Sequence, residues 1–130
     1  MLLALTLVLT TIQGLIGGPI AGGVGGGFQI ASNTSFGSVA SAIMGSSGLL
    51  IFHAFEGVTI FIFAIATAAF SFRYEARNVR IFAVLSLVAA LVALTGGYLH
   101  IGGNEAGGPI MGEAFIMAYA FLFLTLYYTK

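Results

Sequence analysis

Residues 48–72 read GLLIFHAFEGVTIFIFAIATAAFSF, and this stretch decides the fold class. It contains no lysine or arginine, and its single acidic residue is Glu56. About 20 apolar residues in an α-helix span the roughly 30 Å of hydrocarbon in a bilayer. Residues 61–66, FIFAIA, do not alternate apolar and polar side chains as the strands of a membrane barrel do. The stretch therefore predicts a transmembrane helix.

The composition of the whole chain points the same way. Of its 130 residues, 59% are hydrophobic and 6% are charged, whereas a soluble domain carries about 25% charged residues. Lipid makes an apolar exterior favourable, so we expect an integral membrane protein whose first partner is the bilayer. A net charge of zero excludes nucleic-acid binding by phosphate neutralisation. The lack of cysteine excludes disulfides, thiolate metal sites and covalently attached heme.

Three further apolar stretches accompany the first, and together they predict an all-α four-helix bundle that forms one transmembrane domain over residues 1–130. We expect the first helix to be retained rather than cleaved as a signal peptide, because no basic residue precedes its apolar run. The Gly- and Ser-rich segment between the first two helices is predicted to be a long polar connection. The predicted helices cover about residues 1–20, 48–72, 81–99 and 110–129.

The basic residues predict the orientation of this bundle. Arg73, Arg77 and Arg80 lie between the second and third predicted helices, and Lys130 follows the fourth. Basic loops face the cytoplasm, so both termini are predicted to be cytoplasmic and the protein to be a multi-pass protein of the plasma membrane. The long connection and residues 101–109 then lie at the outer face.

A weak internal repeat relates the two halves of the chain. His53-Ala54-Phe55 in the second predicted helix and Glu113-Ala114-Phe115 in the fourth stand 60 positions apart, and phenylalanines follow both at matching positions. Two hairpins of the same orientation would be related by an axis along the membrane normal. The sequence therefore predicts two parallel-related helical hairpins.

Candidate site residues gather at the predicted outer end. A buried ionisable group in a membrane helix is costly and usually marks function. Glu56 follows His53 by three positions on one helical face, and Gly57 would leave room for a flat ligand. The other candidates are His100, at the end of the third predicted helix, and Glu113, near the start of the fourth.

Three chemistries fit these residues. His53 and His100 could supply two axial imidazoles to a b-type heme without covalent bonds. His53, Glu56 and Glu113 could instead bind a divalent metal through imidazole and carboxylate. The same groups could carry protons, since histidine titrates near neutral pH. The alternative to all three is that these side chains are solvated by water and lipid headgroups at the membrane interface.

The pattern resembles one four-helix half of a heme A synthase. Residues 13–18, QGLIGG, and His53 at the outer start of the second predicted helix carry the resemblance. In that family each half holds histidines near the outer ends of its second and fourth helices, so the resemblance implies His53 as a heme ligand. Glu113 stands at the second ligand position, Ala54 replaces the basic residue that often follows the histidine, and residues 21–47 contain no carboxylate.

Three functions are consistent with the sequence. The first is a small integral membrane subunit of a respiratory or electron-transfer complex, with a b-type heme near the outer face. The second is a half-size heme-modifying enzyme similar to heme A synthase, and the third is a cofactor-free structural or assembly subunit. All three predict contacts with larger membrane subunits or with further copies of the chain.

Overall fold

A computed structural model of the protein describes residues 1–21, 31–33 and 35–129. These residues form α-helices without β-strands, which confirms the predicted all-α class. In the described segments the helices are α1 (Leu2–Ala21), α2 (Phe36–Met44), α3 (Gly48–Ser71), α4 (Arg77–Ile101) and α5 (Gly107–Tyr128).

The distribution of side chains is that of a protein surrounded by lipid. The helices α3, α4 and α5 are long and apolar enough to cross a membrane, and the apolar part of α1, Leu2–Gly17, is shorter. Large apolar side chains such as Phe52, Phe55 and Ile116 lie on the outside. Polar side chains are buried instead, among them Thr6, Thr10, Gln13, Glu56, Thr67, Ser71, Ser86 and Thr125. This arrangement indicates a membrane protein, because in water the apolar exterior would be unfavourable.

The four long helices contact one another in a cyclic order. The helix α1 packs against α3 and α5, and α4 packs against the same two helices. The helices α1 and α3 are antiparallel, as shown by two pairs at their contact: Gly17 lies against His53, and Gln13 lies near Gly57. All four predicted helices therefore exist, and the structure extends the third from residues 81–99 to Arg77–Ile101.

The segment predicted to be a polar connection contains a helix of its own. Ser35 caps the start of α2, where its hydroxyl accepts a hydrogen bond from the backbone nitrogen of Ser38 at 3.3 Å. Val39 and Ala42 are buried against Ile101, at the end of α4. The prediction missed α2 because its nine residues are too short to cross a membrane. Serine at the N-cap position was the local signal for its start.

The most extensive helix contact, between α4 and α5, depends on two glycines. A methyl carbon added to Gly96 would lie 2.6 Å from the backbone nitrogen of Met111 and 2.9 Å from the carbonyl oxygen of Gly107. Further along the same contact, the Ser86 hydroxyl donates a hydrogen bond to the carbonyl oxygen of Ala118 at 3.3 Å. The two backbones approach each other closely because small residues line both helices.

The substitution Gly96→Ala should therefore destabilise the protein. The added methyl group meets backbone atoms, which cannot move without shifting a whole helix, so we expect the free energy of unfolding to fall by about 1–3 kcal/mol. Unfolding of the purified protein in mixed detergent micelles, followed by circular dichroism, measures this change.

Gly112→Ala is the matched control, because a methyl carbon at Gly112 has no atom within 4 Å among the described residues. It adds the same group to the same helix pair and should leave the unfolding midpoint unchanged or slightly raised. Equal effects of the two substitutions would contradict the close approach at Gly96.

Candidate functional site

The side chain of Gln13 joins α1 to α3 in the half of the molecule that the sequence places toward the outer face. Gln13 is buried, with 8% of its surface exposed. Its amide nitrogen donates a hydrogen bond to the backbone carbonyl of His53 at 3.1 Å. The same nitrogen lies 3.4 Å from Nε2 of the His53 ring. One side chain of α1 therefore contacts both the backbone and the imidazole of α3.

Two glycines make this contact possible. A methyl carbon at Gly17 would lie 3.0 Å from Cε1 of His53, so the imidazole packs directly against the backbone of α1. A methyl carbon at Gly57 would lie 3.2 Å from the amide nitrogen of Gln13. The predicted space beside Gly57 is thus taken up by the Gln13 amide in this structure.

Glu56 is the more deeply buried of the two ionisable side chains on α3, the other being His53. Its exposed fraction is 6%, and it lies on α3 between His53 and Gly57, eight residues after Gly48. With a rise of 1.5 Å per residue, the carboxyl-bearing residue lies about 12 Å along a helix of about 36 Å. This depth is inside the hydrocarbon layer if α3 spans the membrane.

Three buried polar atoms of α1 and α3 in this half of the molecule lack a hydrogen-bond partner within the described part of the chain. They are Oε1 of Gln13, Nδ1 of His53 and Oε2 of Glu56. An amide oxygen accepts, a carboxyl group donates when protonated, and an imidazole nitrogen does either according to its tautomer. Buried polar atoms are usually paired. These three atoms could therefore bind a proton, water or a polar ligand between α1 and α3. We define Gln13, His53, Glu56 and Gly57 as the polar cluster.

The structure places His100 at a different helix contact from His53. His100 lies in the last turn of α4 and packs against the start of α5, where a methyl carbon at Gly108 would lie 3.3 Å from its Nδ1. His53 faces α1. The two predicted heme ligands are both half-buried, and each is held by its own helix pair.

The predicted site residue Glu113 lies apart from the polar cluster. It is exposed on α5, next to Gly112, and α5 does not pack against α3 within the described residues. No group of three or more His, Asp or Glu side chains is placed to hold a metal ion in the parts of the chain that the structure describes. The structure therefore does not bring His53, Glu56 and Glu113 together.

Gln13 is the residue that sequence reasoning missed as a site residue. Its position was nevertheless a signal for a site residue, because a glutamine inside an apolar membrane helix needs a hydrogen-bond partner there. The sequence could not identify His53 as that partner, because the two residues are 40 positions apart and meet only when α1 packs on α3.

No protein-family model matches this sequence, and no curated protein or solved structure matches it either. The residues of the polar cluster, with their burial and their contacts, are thus what supports an inference about function.

The substitution Gln13→Leu should weaken the contact between α1 and α3. It removes the hydrogen bond to the His53 carbonyl while keeping a side chain of similar length. Interhelical hydrogen bonds in membranes contribute about 0.6 kcal/mol on average and up to about 2 kcal/mol, so we expect a loss in that range, measured by unfolding in mixed micelles.

Thr11→Val provides the control for this substitution. Thr11 is exposed on the same helix, and its hydroxyl donates only to the carbonyl oxygen of Leu7 within α1. If Thr11→Val lowered stability as much as Gln13→Leu, the bond between Gln13 and α3 would contribute nothing specific.

Proposed function

We propose that this protein is a small integral membrane subunit of a respiratory or electron-transfer complex. In this proposal the four long helices form a bundle in the plasma membrane, with both termini and the arginine-rich segment at the cytoplasmic face. The polar cluster then lies in the outer half of the bilayer. The observation that carries the proposal is this cluster: a half-buried imidazole near a buried amide, with a buried carboxyl one turn further along α3.

The exterior of the molecule supports a role among other membrane subunits. The exposed side chains of α3 and α5 are mostly large and apolar, for example Phe55, Ile62 and Phe123. Such faces suit lipid and also the apolar surfaces of larger membrane proteins.

The imidazole of His53 supports the choice of electron transfer. A half-buried imidazole in a membrane helix can be an axial ligand of a b-type heme. The buried Nδ1 of His53 has no partner within the described residues, and its Nε2 lies 3.4 Å from the amide nitrogen of Gln13. In this proposal His53 and His100 would be the two axial ligands, and both rings would have to leave the separate helix contacts in which they lie here. When bound, the heme would supply one-electron redox chemistry.

A visible spectrum of the detergent-purified protein, taken from its native membrane in the oxidised and reduced states, tests this proposal. We expect a reduced α-band of b-type heme and co-purification with larger redox subunits. His53→Ala should abolish the band, because it removes the proposed ligand. His100→Ala should abolish or shift the band, while Gly112→Ala should leave it unchanged.

Other outcomes would favour the two alternatives. A colourless protein with full helical content by circular dichroism, together with tolerance of His53→Ala, would contradict the heme and favour a cofactor-free assembly subunit. A heme-containing protein that purifies without redox partners and chemically modifies added heme would favour the half-size heme-modifying enzyme.

A further inference from the structure

A row of buried polar side chains runs along one face of α1. Thr6, Thr10 and Gln13 are spaced four and three residues apart, which places them on the same side of the helix. Their exposed fractions are 0%, 1% and 8%. Thr11, adjacent in sequence, is exposed. The row therefore faces the interior between α3 and α5, the two helices that contact α1.

A cavity of about 420 Å³ lies beyond the Thr6 end of the row, at the end of the molecule that carries Met1 and Arg73. Residues of α1, α3, α4 and α5 line it. Three buried hydroxyl side chains line it: Thr67, Ser71 and Thr125. Oγ1 of Thr67, in a residue that is 4% exposed, has no hydrogen-bond partner within the described residues. A buried hydroxyl group that has no partner and belongs to a residue lining a cavity is suited to bind water there.

The spacing of these groups suits a chain of hydrogen bonds. Because α1 and α3 are antiparallel, Thr6 and Thr10 lie between the level of Thr67 and the level of Gln13. Residues four apart on a helix are separated by about 6 Å along its axis, a distance that one water molecule bridges. Because Thr6 and Thr10 are 0% and 1% exposed, water enters this row only when the packing of α1 against its neighbours opens locally. Thr6 and Thr10 donate their hydroxyl hydrogens to carbonyls of their own helix, which leaves their oxygen lone pairs free to accept from water.

The row ends at the polar cluster, where Glu56 has no charged neighbour to neutralise it. Neither α1 nor α2, both of which pack against α3, contains an ionisable side chain. The third helix that packs against α3 is α4. It carries Arg77 and Arg80 at the end far from Glu56, and Tyr98 and His100 at the end near Glu56. No ion pair to Glu56 is present among the described residues, and the nearest titratable side chain on its own helix is His53.

An ionised carboxylate in this position would be very unfavourable. Moving an unpaired charge into an apolar interior costs many kcal/mol, and the group takes up a proton instead. A protonated carboxyl can donate one hydrogen bond, so Oε2 of Glu56 could pair with an acceptor such as the unpartnered Oε1 of Gln13.

We propose that Glu56 is a proton-binding site inside the membrane, which exchanges its proton with water in the Thr67–Ser71–Thr125 cavity along the buried row of Thr6, Thr10 and Gln13. The exchange is a simple acid–base reaction: a proton from cavity water passes to the carboxylate along water that enters the row when its packing opens, where the Thr6 and Thr10 oxygens accept hydrogen bonds from that water, and it returns by the same path. The proposal requires that the helices cross the membrane, but it does not require that a heme or a redox partner be bound.

Two measurements on the full chain in phospholipid nanodiscs test the proposal. The first is labelling with dicyclohexylcarbodiimide, a reagent that adds to protonated carboxyl groups in apolar surroundings. Mass spectrometry should find the adduct at Glu56 and little or none at the exposed Glu75, Glu105 and Glu113. Glu56→Gln should fold normally, since glutamine matches a protonated glutamate in shape and charge, and should abolish that adduct.

The second measurement is hydrogen–deuterium exchange of the protonated carboxyl, followed by its infrared C=O band. The band should be present in the wild type and lost in Glu56→Gln. Thr10→Val removes one hydroxyl from the row and should slow the exchange several-fold, because an apolar gap then interrupts the hydrogen-bond chain. Thr11→Val makes the same change on the exposed face of α1 and should exchange at the wild-type rate.

Each contrary result overturns a stated part of the proposal. Absence of both the adduct and the band at Glu56 would show an ionised carboxylate and would overturn the binding site. A band that exchanges equally fast in Thr10→Val and in the wild type would overturn the path along α1. Neither result depends on the visible spectrum that tests the heme, so the two proposals fail independently.

Discussion

The structure depends on the close approach of helix backbones in a lipid environment, where no hydrophobic effect drives the helices together. Lipid tails are as apolar as leucine side chains, so helices in a bilayer associate through packing and interhelical hydrogen bonds. In this protein Gly96 and Gly107 bring α4 against α5, and Gly17 brings α1 against His53. Most large apolar side chains remain on the outside, where lipid can solvate them.

Close packing also creates the polar cluster. Because Gly17 and Gly57 have no side chains, α1 lies near enough to α3 for the Gln13 amide to reach both the backbone and the ring of His53. The residues that hold α1 against α3 are therefore neighbours of the residues that could bind a cofactor or a proton. A substitution in either set is expected to affect the other set.

Several features of the fold could be predicted from the sequence for simple physical reasons. A long apolar run without charges has to be a helix in lipid, since its backbone groups have no other partner there. Such apolar runs predict α3 to within one residue and locate α1, α4 and α5. They do not predict α2, because its short amphipathic sequence carries no membrane-spanning signal and its position depends on Ile101 from a distant part of the chain.

The sequence by itself determined the apolar helices, the scarcity of charge and the presence of rare polar groups within α1 and α3, because these follow from composition and periodicity along the chain. Only the tertiary structure decided which of those polar groups meet. It placed Gln13 against His53, assigned His100 to a separate helix pair, and left Glu113 exposed. The physical reason is that such contacts depend on how helices rotate and cross, which small residues far apart in sequence control together.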